Sequence, residues 1–247
     1  KNVKSYSQRL IGTLKKTFDE LIEKGFKPRE EGNVITFFTQ EGDELVQIMN
    51  DKFVVKKWGA HSLGTVEKEL DNGYWVVKNS DGSYSIDLGF KEGRKLTGKE
   101  VNEYYIKTGR SAPYADNCTV TEEVLKPGKE FYIVNSKNAK HPGGWASDNP
   151  ITTINELRQD LAVLEKWKRV EDIPTCVKYR VKQPLRVRNG VVGPQVDFPT
   201  AEKGQGVIYF GGSQQYEIIQ TKDMMWNSYD IKGWQNYLEE IKRIELK

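Results

Sequence analysis

The sequence predicts an α+β protein built on antiparallel strands. Two observations carry that expectation: short alternating stretches are joined by turn signals that close hairpins, and helical spacing is confined to a few separate segments. At 247 residues the chain has room for one large domain or two small ones, and for a substantial core either way.

The first element runs from Tyr6 to Lys24, where Leu10, Ile11, Leu14, Phe18, Leu21 and Ile22 recur at helical spacing and Gly25 supplies the stop. Three strand patterns follow, Val34 to Thr39, Glu44 to Met49 and Lys52 to Trp58, with Asn50-Asp51 as a tight turn. Tyr74 to Lys78 and Tyr84 to Leu88 then flank Asn79-Ser80-Asp81-Gly82, a hairpin signal because aspartate-glycine tolerates positive φ. Residues 1–95 therefore read as an N-terminal helix and antiparallel-strand module. They carry no catalytic constellation, which suits a delivery, linking or scaffold role.

Gly89 to Gly98 is polar and glycine-punctuated and marks the boundary to a second domain, residues 96–247. Thr97 can cap a short helix reaching Lys107, with Glu100 completing a capping box, and Gly109 to Asn117 reads as loop. After the turn Lys126-Pro127-Gly128, Glu130 to Val134 alternates like a strand. Thr153 and Glu156 form a second capping box. Ile154, Leu157, Leu161 and Leu164 continue it as one apolar face, with Arg158 on its border.

The stretch from Tyr179 to Gln220 reads as two strand patterns around a connection punctuated by Gly204 and Gly206, with Gly211-Gly212 opening the last strand. Alternation there puts Gln215, Glu217 and Ile219 on one face and Gln214, Tyr216 and Ile218 on the other. Burying an amide and a carboxylate without partners costs about a few kcal/mol. The pair therefore marks either a site or the polar outer face of an edge strand. Met224, Met225 and Trp226 lead to a final helical pattern, Ile231, Trp234, Tyr237, Leu238 and Ile241, suited to packing on the sheet.

Composition excludes several classes. The net charge of +3 is dispersed, with acidic residues interleaved throughout, so no basic stripe supports nucleic-acid binding. No apolar run approaches the ~18 residues of a membrane span. Cys118 and Cys176 lie in no metal-ligand spacing, which argues against a zinc site or a disulfide framework and leaves one disulfide open. His61 and His141 are too few for a histidine metal site. The chain opens on lysine with no secretory signal, which suggests a piece excised from a longer protein.

In HPGGWAS, Pro142, Gly143 and Gly144 allow close backbone approach to a ligand, Trp145 can stack on a flat ring and Ser147 offers a hydroxyl. Ordinary loop packing is the plain alternative. Arg158 can grip a pyrophosphate through bidentate bonds, or make a surface salt bridge.

At these residues the chain resembles a known family. YRVKQPLRVRNGVVGPQ, a glycine-rich turn and GGSQQYEII resemble the C-terminal half of the tuberculosis-necrotizing-toxin-like NAD glycohydrolases, and HPGGWASDNPITTINELRQDLAV resembles that family's upstream glycine-aromatic turn and arginine. The likeness spans roughly Lys126 to Gln220.

The resemblance implies an ADP-ribosyltransferase-like mixed antiparallel sheet core and cleavage of NAD+ to nicotinamide and ADP-ribose. NAD+ is then a consumed substrate, with no cofactor and no metal. It also implies a toxin that is secreted or delivered into a target cell's cytosol, with an immunity protein in the producer. Among site residues, Arg158 would hold the pyrophosphate, while Trp145 and Ser147 would bracket the nicotinamide. Gln215 would bind ribose or position water, and Glu217 would supply a negative field. Gly144, Tyr179 and Phe210 complete the substrate-binding set.

Two departures stand out: the family's arginine before the glycine turn is replaced by Glu130-Phe131-Tyr132-Ile133, with Lys129 or Lys137 as substitutes for its charge, and no histidine follows His141. Gln215-Tyr216-Glu217 also resembles the catalytic strand of mono-ADP-ribosyltransferase toxins, which makes transfer to a protein target the alternative activity. A non-catalytic binding module is the third reading, favoured if Arg158 and Gln215 do not converge.

Overall fold

A computed structural model describes residues 4–197, 206–220 and 232–247. It is α+β, and among the described residues the strands pair with one another antiparallel. The chain divides into two compact units, Lys1–Lys91 with Lys107–Gly109, and Glu92–Ile106 with Arg110–Lys247.

The first unit holds helices α1 (Tyr6–Arg9) and α2 (Gly12–Glu23), a sheet of β1 (Lys27–Glu31), β2 (Val34–Phe38), β3 (Glu44–Met49) and β4 (Lys52–Val55), and a sheet of β5 (Gly64–Glu69), β6 (Trp75–Asn79) and β7 (Tyr84–Asp87). The expected single helix is divided. Leu10 and Ile11 are extended, so Leu10 joins Tyr6 in the core while Ile11 is left exposed. The Tyr6 and Ser7 N–H groups instead reach the Glu30 carboxylate.

Asn50 and Asp51 both take positive φ, 49° and 57°, as a two-residue hairpin demands. The strand β1 was not expected: Lys-Pro-Arg-Glu-Glu has no apolar alternation and forms a charged sheet edge, where proline costs no ladder bond.

The second unit contains β8 (Lys95–Thr97), α3 (Gly98–Lys107), β9 (Thr119–Leu125), β10 (Glu130–Ser136), β11 (Trp145–Ala146), α4 (Ile154–Gln159), β12 (Pro174–Val181), β13 (Leu185–Val191), β14 (Gln195–Asp197), β15 (Val207–Tyr209), β16 (Gln214–Ile218), α5 (Lys232–Tyr237) and β17 (Leu238–Glu245). A five-stranded sheet runs β11-β16-β13-β9-β8, a three-stranded sheet runs β10-β12-β17, and β14 pairs with β15. Leu125, Leu185, Val187, Tyr216 and Ile218 from the first sheet share one core with Phe131, Ile133, Val177, Tyr179 and Val181 from the second. The five-stranded sheet's opposite face is left for other groups.

Both capping boxes form: Glu100 N–H to Thr97 Oγ1 at 3.2 Å, and Glu156 N–H to Thr153 Oγ1 at 3.1 Å. Two helical expectations are corrected. The helix begun at Thr153 stops at Gln159, and Ala162 turns the chain at φ 48°, so Leu164 reaches the core from a loop. The last apolar pattern is helical only to Tyr237; from Leu238 the backbone pairs with the open side of β12, and only Leu238 of that strand is buried. Backbone pairing along a free sheet edge prevails there over the weak helical spacing of Ile241.

Gly204, Met224, Met225, Trp226 and Ile231 lie outside the described residues. Among the described residues no helix is long and apolar enough to cross a membrane, and no cluster of ligating side chains can hold a metal ion. Cys118 and Cys176 are both free thiols.

Candidate active site

Register across the five-stranded sheet builds the site. Glu122 on β9 stands opposite Arg188 on β13, Arg188 opposite Glu217 on β16, and Glu217 opposite Trp145 on β11. Glu122 N–H also bonds the Arg94 carbonyl at 2.9 Å, which extends the row by one residue. The result is a line of alternating charge ending on a tryptophan, all on the face turned away from the shared core.

Its side chains are joined. Arg94 forks onto Glu122 with Nε and Nη2 at 2.7 and 2.8 Å. Arg188 Nε bonds Glu122 at 2.9 Å and Arg188 Nη1 bonds Glu217 at 3.1 Å. Tyr105, projecting from α3, donates its hydroxyl to the other Glu217 oxygen.

Glu122 is fully buried, Arg188 is 3% exposed and Glu217 9%. Burial opposes the Arg188 charge, but the Glu217 and Glu122 carboxylates outweigh it and hold the guanidinium well above its ordinary value. Burial and the Glu217 charge likewise push the Tyr105 phenol well up, which keeps it a hydrogen-bond donor. Such a chain is held only because every charge has a partner.

The loop after α3 lies against the same face. Asn102 Nδ2 donates to the Tyr114 carbonyl at 2.7 Å, and Tyr114 N–H donates back to Asn102 Oδ1 at 3.0 Å. Tyr114 rests on Gly190, where an added Cβ would sit 2.8 Å from the ring.

Gln215 stands opposite Gly190 and donates Nε2 to the Pro113 carbonyl at 2.8 Å. A carbonyl can only accept, so this bond fixes the amide's orientation and leaves Oε1 as the acceptor available to a ligand. The glycine pair that opens β16 has a steric cause: Gly211 sits at φ 72°, and a Cβ there would meet the Val192 carbonyl oxygen at 2.7 Å.

The expected residues divide into three groups. Gln215, Glu217 and Trp145 come together on one face. Trp145 is 37% exposed, with its ring centroid 6.1 Å from Tyr105 and 6.0 Å from Tyr114. Gly144 and Ser147 flank Trp145 but serve the framework: the Gly144 carbonyl accepts from Ile218 N–H, and Ser147 Oγ donates to the Asn149 carbonyl at 2.7 Å.

Arg158 and Tyr179 are committed to other partners, and Phe210 belongs to the loop before β16. Arg158 is buried and donates to the Val163, Leu164 and Lys168 carbonyls and the Glu165 carboxylate, so both terminal nitrogens tie down its own loop. Tyr179 is in the shared core, accepting from Asn135 Nδ2 at 3.2 Å. Phe210 is 71% exposed beside the Gly211 turn. Lys129 and Lys137 pair with Asp148 and Glu245.

The sequence reading missed Arg94, Tyr105, Tyr114, Glu122 and Arg188. One signal was present: in Leu185–Val191, alternation separates Arg188 and Gly190 from Leu185 and Val187, marking a polar face on a strand with an apolar opposite face.

No family model matches the sequence, and a search of curated proteins finds no match. Two solved structures are similar to part of the chain. A structure of Tne2 in complex with Tni2 covers 54% of this chain and 99% of its own, at 19% identity and a TM-score of 0.40. A structure of Tse6 in complex with Tsi6 covers 59% and 94%, at 19% identity and a TM-score of 0.32. At that level of likeness the geometry of the site, not its neighbours, bears on function.

Proposed function

We propose that the second unit is an NAD+ glycohydrolase that releases nicotinamide and ADP-ribose. One observation carries this reading: Gln215, with its amide nitrogen fixed on Pro113 and its carbonyl oxygen left as an acceptor, shares a strand face with Glu217, and Glu217 stands opposite the partly exposed Trp145.

In the reaction, the bond from ribose C1′ to the pyridinium nitrogen breaks with its electron pair moving onto nitrogen, which cancels the ring's charge. Water forms the new bond to C1′ and loses a proton to solvent. The barrier lies in the cationic ribose, so an oriented acceptor and a fixed negative charge matter more than a strong acid.

Gln215 Oε1 suits a ribose hydroxyl or the attacking water, and Trp145 suits the flat nicotinamide. Glu217 supplies negative charge that Arg188 and Tyr105 hold in place. Delivery to a target cell and a neutralising partner protein belong to the same reading, on the family resemblance.

The internal commitment of Arg158 favours a second reading, a module that binds a nucleotide without turning it over. The Gln-x-Glu spacing keeps protein ADP-ribosylation as the alternative activity. Incubating the purified chain with NAD+ and resolving nicotinamide, ADP-ribose and cyclic product separates them. Multiple turnovers to free ADP-ribose without an acceptor are expected. Nicotinamide release that needs added lysate and labels a protein points to transfer, and intact NAD+ with measurable binding points to the module.

A further inference from the structure

We propose that Asn102 is a positioning residue for Gln215: through the one peptide unit between Pro113 and Tyr114, it fixes which end of the Gln215 amide faces a ligand. The proposal rests on the role given to Gln215 above, but its first test needs no turnover.

Asn102 lies on α3, 4% exposed, and its own orientation is set by its neighbours. Its Nδ2 is 2.7 Å from the Tyr114 carbonyl and 2.8 Å from the Asp116 carboxylate, and a carbonyl and an ionised carboxylate can only accept. The amide nitrogen must therefore face them. Oδ1 is left to accept the Tyr114 N–H, at 3.0 Å.

That N–H and the Pro113 carbonyl are opposite ends of one planar trans peptide. Holding the N–H on Asn102 aims the carbonyl the other way, where it accepts from Gln215 Nε2 at 2.8 Å and from Gly193 N–H at 3.0 Å. Both lone pairs of that oxygen are then used. Gln215 Oε1 is consequently the end that remains for a ligand.

Without Asn102, the N–H of Tyr114, a residue 1% exposed, would be buried with no acceptor. Turning the peptide round relieves this, because the N–H then meets Gln215 Oε1 and the amide presents Nε2 outward. An outward N–H places its positive end toward a cationic ribose, which opposes the transition state that an outward oxygen favours. The preceding carbonyl, Ala112, is held separately by Gln195 Nε2, so the loop keeps its place while this one peptide turns.

The test uses the full chain labelled with a magnetic nitrogen isotope. The Gln215 Nε2 protons and the Gly193 N–H converge on one oxygen, so a nuclear Overhauser contact between them is expected in the wild type, with the Gln215 signals identified by their loss in Gln215→Ala. Asn102→Ala should abolish that contact. In NAD+ turnover it should lower kcat about ten- to a hundredfold and leave KM within about twofold, as for a group felt only in the transition state. Added to Gln215→Ala, it should change kcat by less than about twofold, because its effect passes through the missing amide. General damage to the fold would lower kcat in both backgrounds. If Asn102→Ala does not fold, Asp116→Ala takes its place: it removes an exposed anchor of the Asn102 amide, and should weaken the same contact and lower kcat about two- to fivefold.

A contact that survives in the folded variant overturns the proposal, as does its absence from the wild type or an undiminished effect of Asn102→Ala in the Gln215→Ala background. Loss of the contact in Asn102→Ala, with no nicotinamide release by the wild type, rejects the hydrolase and keeps the positioning. Release that Asn102→Ala leaves unchanged, with the contact intact, does the reverse.

Discussion

Arg188 on β13 stands directly opposite Glu217 on β16, with Nη1 3.1 Å from the carboxylate and both side chains buried. Arg188 also bonds Glu122, so one guanidinium serves two buried carboxylates. Arg188→Ala should therefore cost about 3–5 kcal/mol, because it strands both acids without their shared partner. Urea denaturation gives the number. A loss under ~1 kcal/mol would mean that water replaces the guanidinium and the row is no framework.

Gln215→Ala is expected to lower nicotinamide release about 10²–10³-fold, the scale of removing one oriented polar group from a transition state. Gln215 contributes a single bond to the fold, so circular dichroism should be unchanged. Full NAD+ hydrolysis by this variant would falsify the role given to Gln215.

Arg158→Ala should act on stability rather than on substrate. Its guanidinium gathers three backbone carbonyls and the Glu165 carboxylate, so removal should cost about 3 kcal/mol. The KM for NAD+ should stay close to the wild-type value. Steady-state kinetics on the variant decide it; a KM raised about tenfold with the fold intact would restore the phosphate role suggested by its place in the sequence.

Gly190→Ala places a methyl group against the Tyr114 ring and should cost about 1–3 kcal/mol as overpacking. Gly211→Ala should cost more, because it adds a backbone clash to a positive φ. Thermal melts that ranked the two in the opposite order would contradict the close approach of the Gly211 turn to Val192.

Tyr179 has its phenol pushed up to about 12, first by burial and then by the Glu240 charge. A group whose folded value is raised stabilises the fold fully below its unfolded value, here 10.0, and loses that contribution as pH climbs toward 12. The alkaline limb of the stability curve should therefore steepen in that window. Tyr179→Phe should flatten it, at a neutral-pH cost of about 1 kcal/mol for the Asn135 bond. Identical alkaline limbs in both proteins would remove Tyr179 from the account.

The sequence by itself determined what short-range chemistry determines. The Asn50-Asp51 hairpin, the Thr97–Glu100 and Thr153–Glu156 boxes and the placing of Gln215 and Glu217 on one face of a strand all depend on residues within a few positions of each other. Tertiary structure alone decided which groups meet that face. Glu122 and Arg188 are 66 residues apart, and Tyr105 and Glu217 are 112 apart.

Such neighbours are set by strand register, and a one-residue slip would turn each of them to the opposite face. The same holds for the ends of elements. Leu238 onward leaves its helical pattern because β12 has an open edge to pair with, and Arg158 turns inward because nearby loop carbonyls need donors. An apolar period records which side of a segment is buried; the partner that buries it comes from elsewhere in the chain.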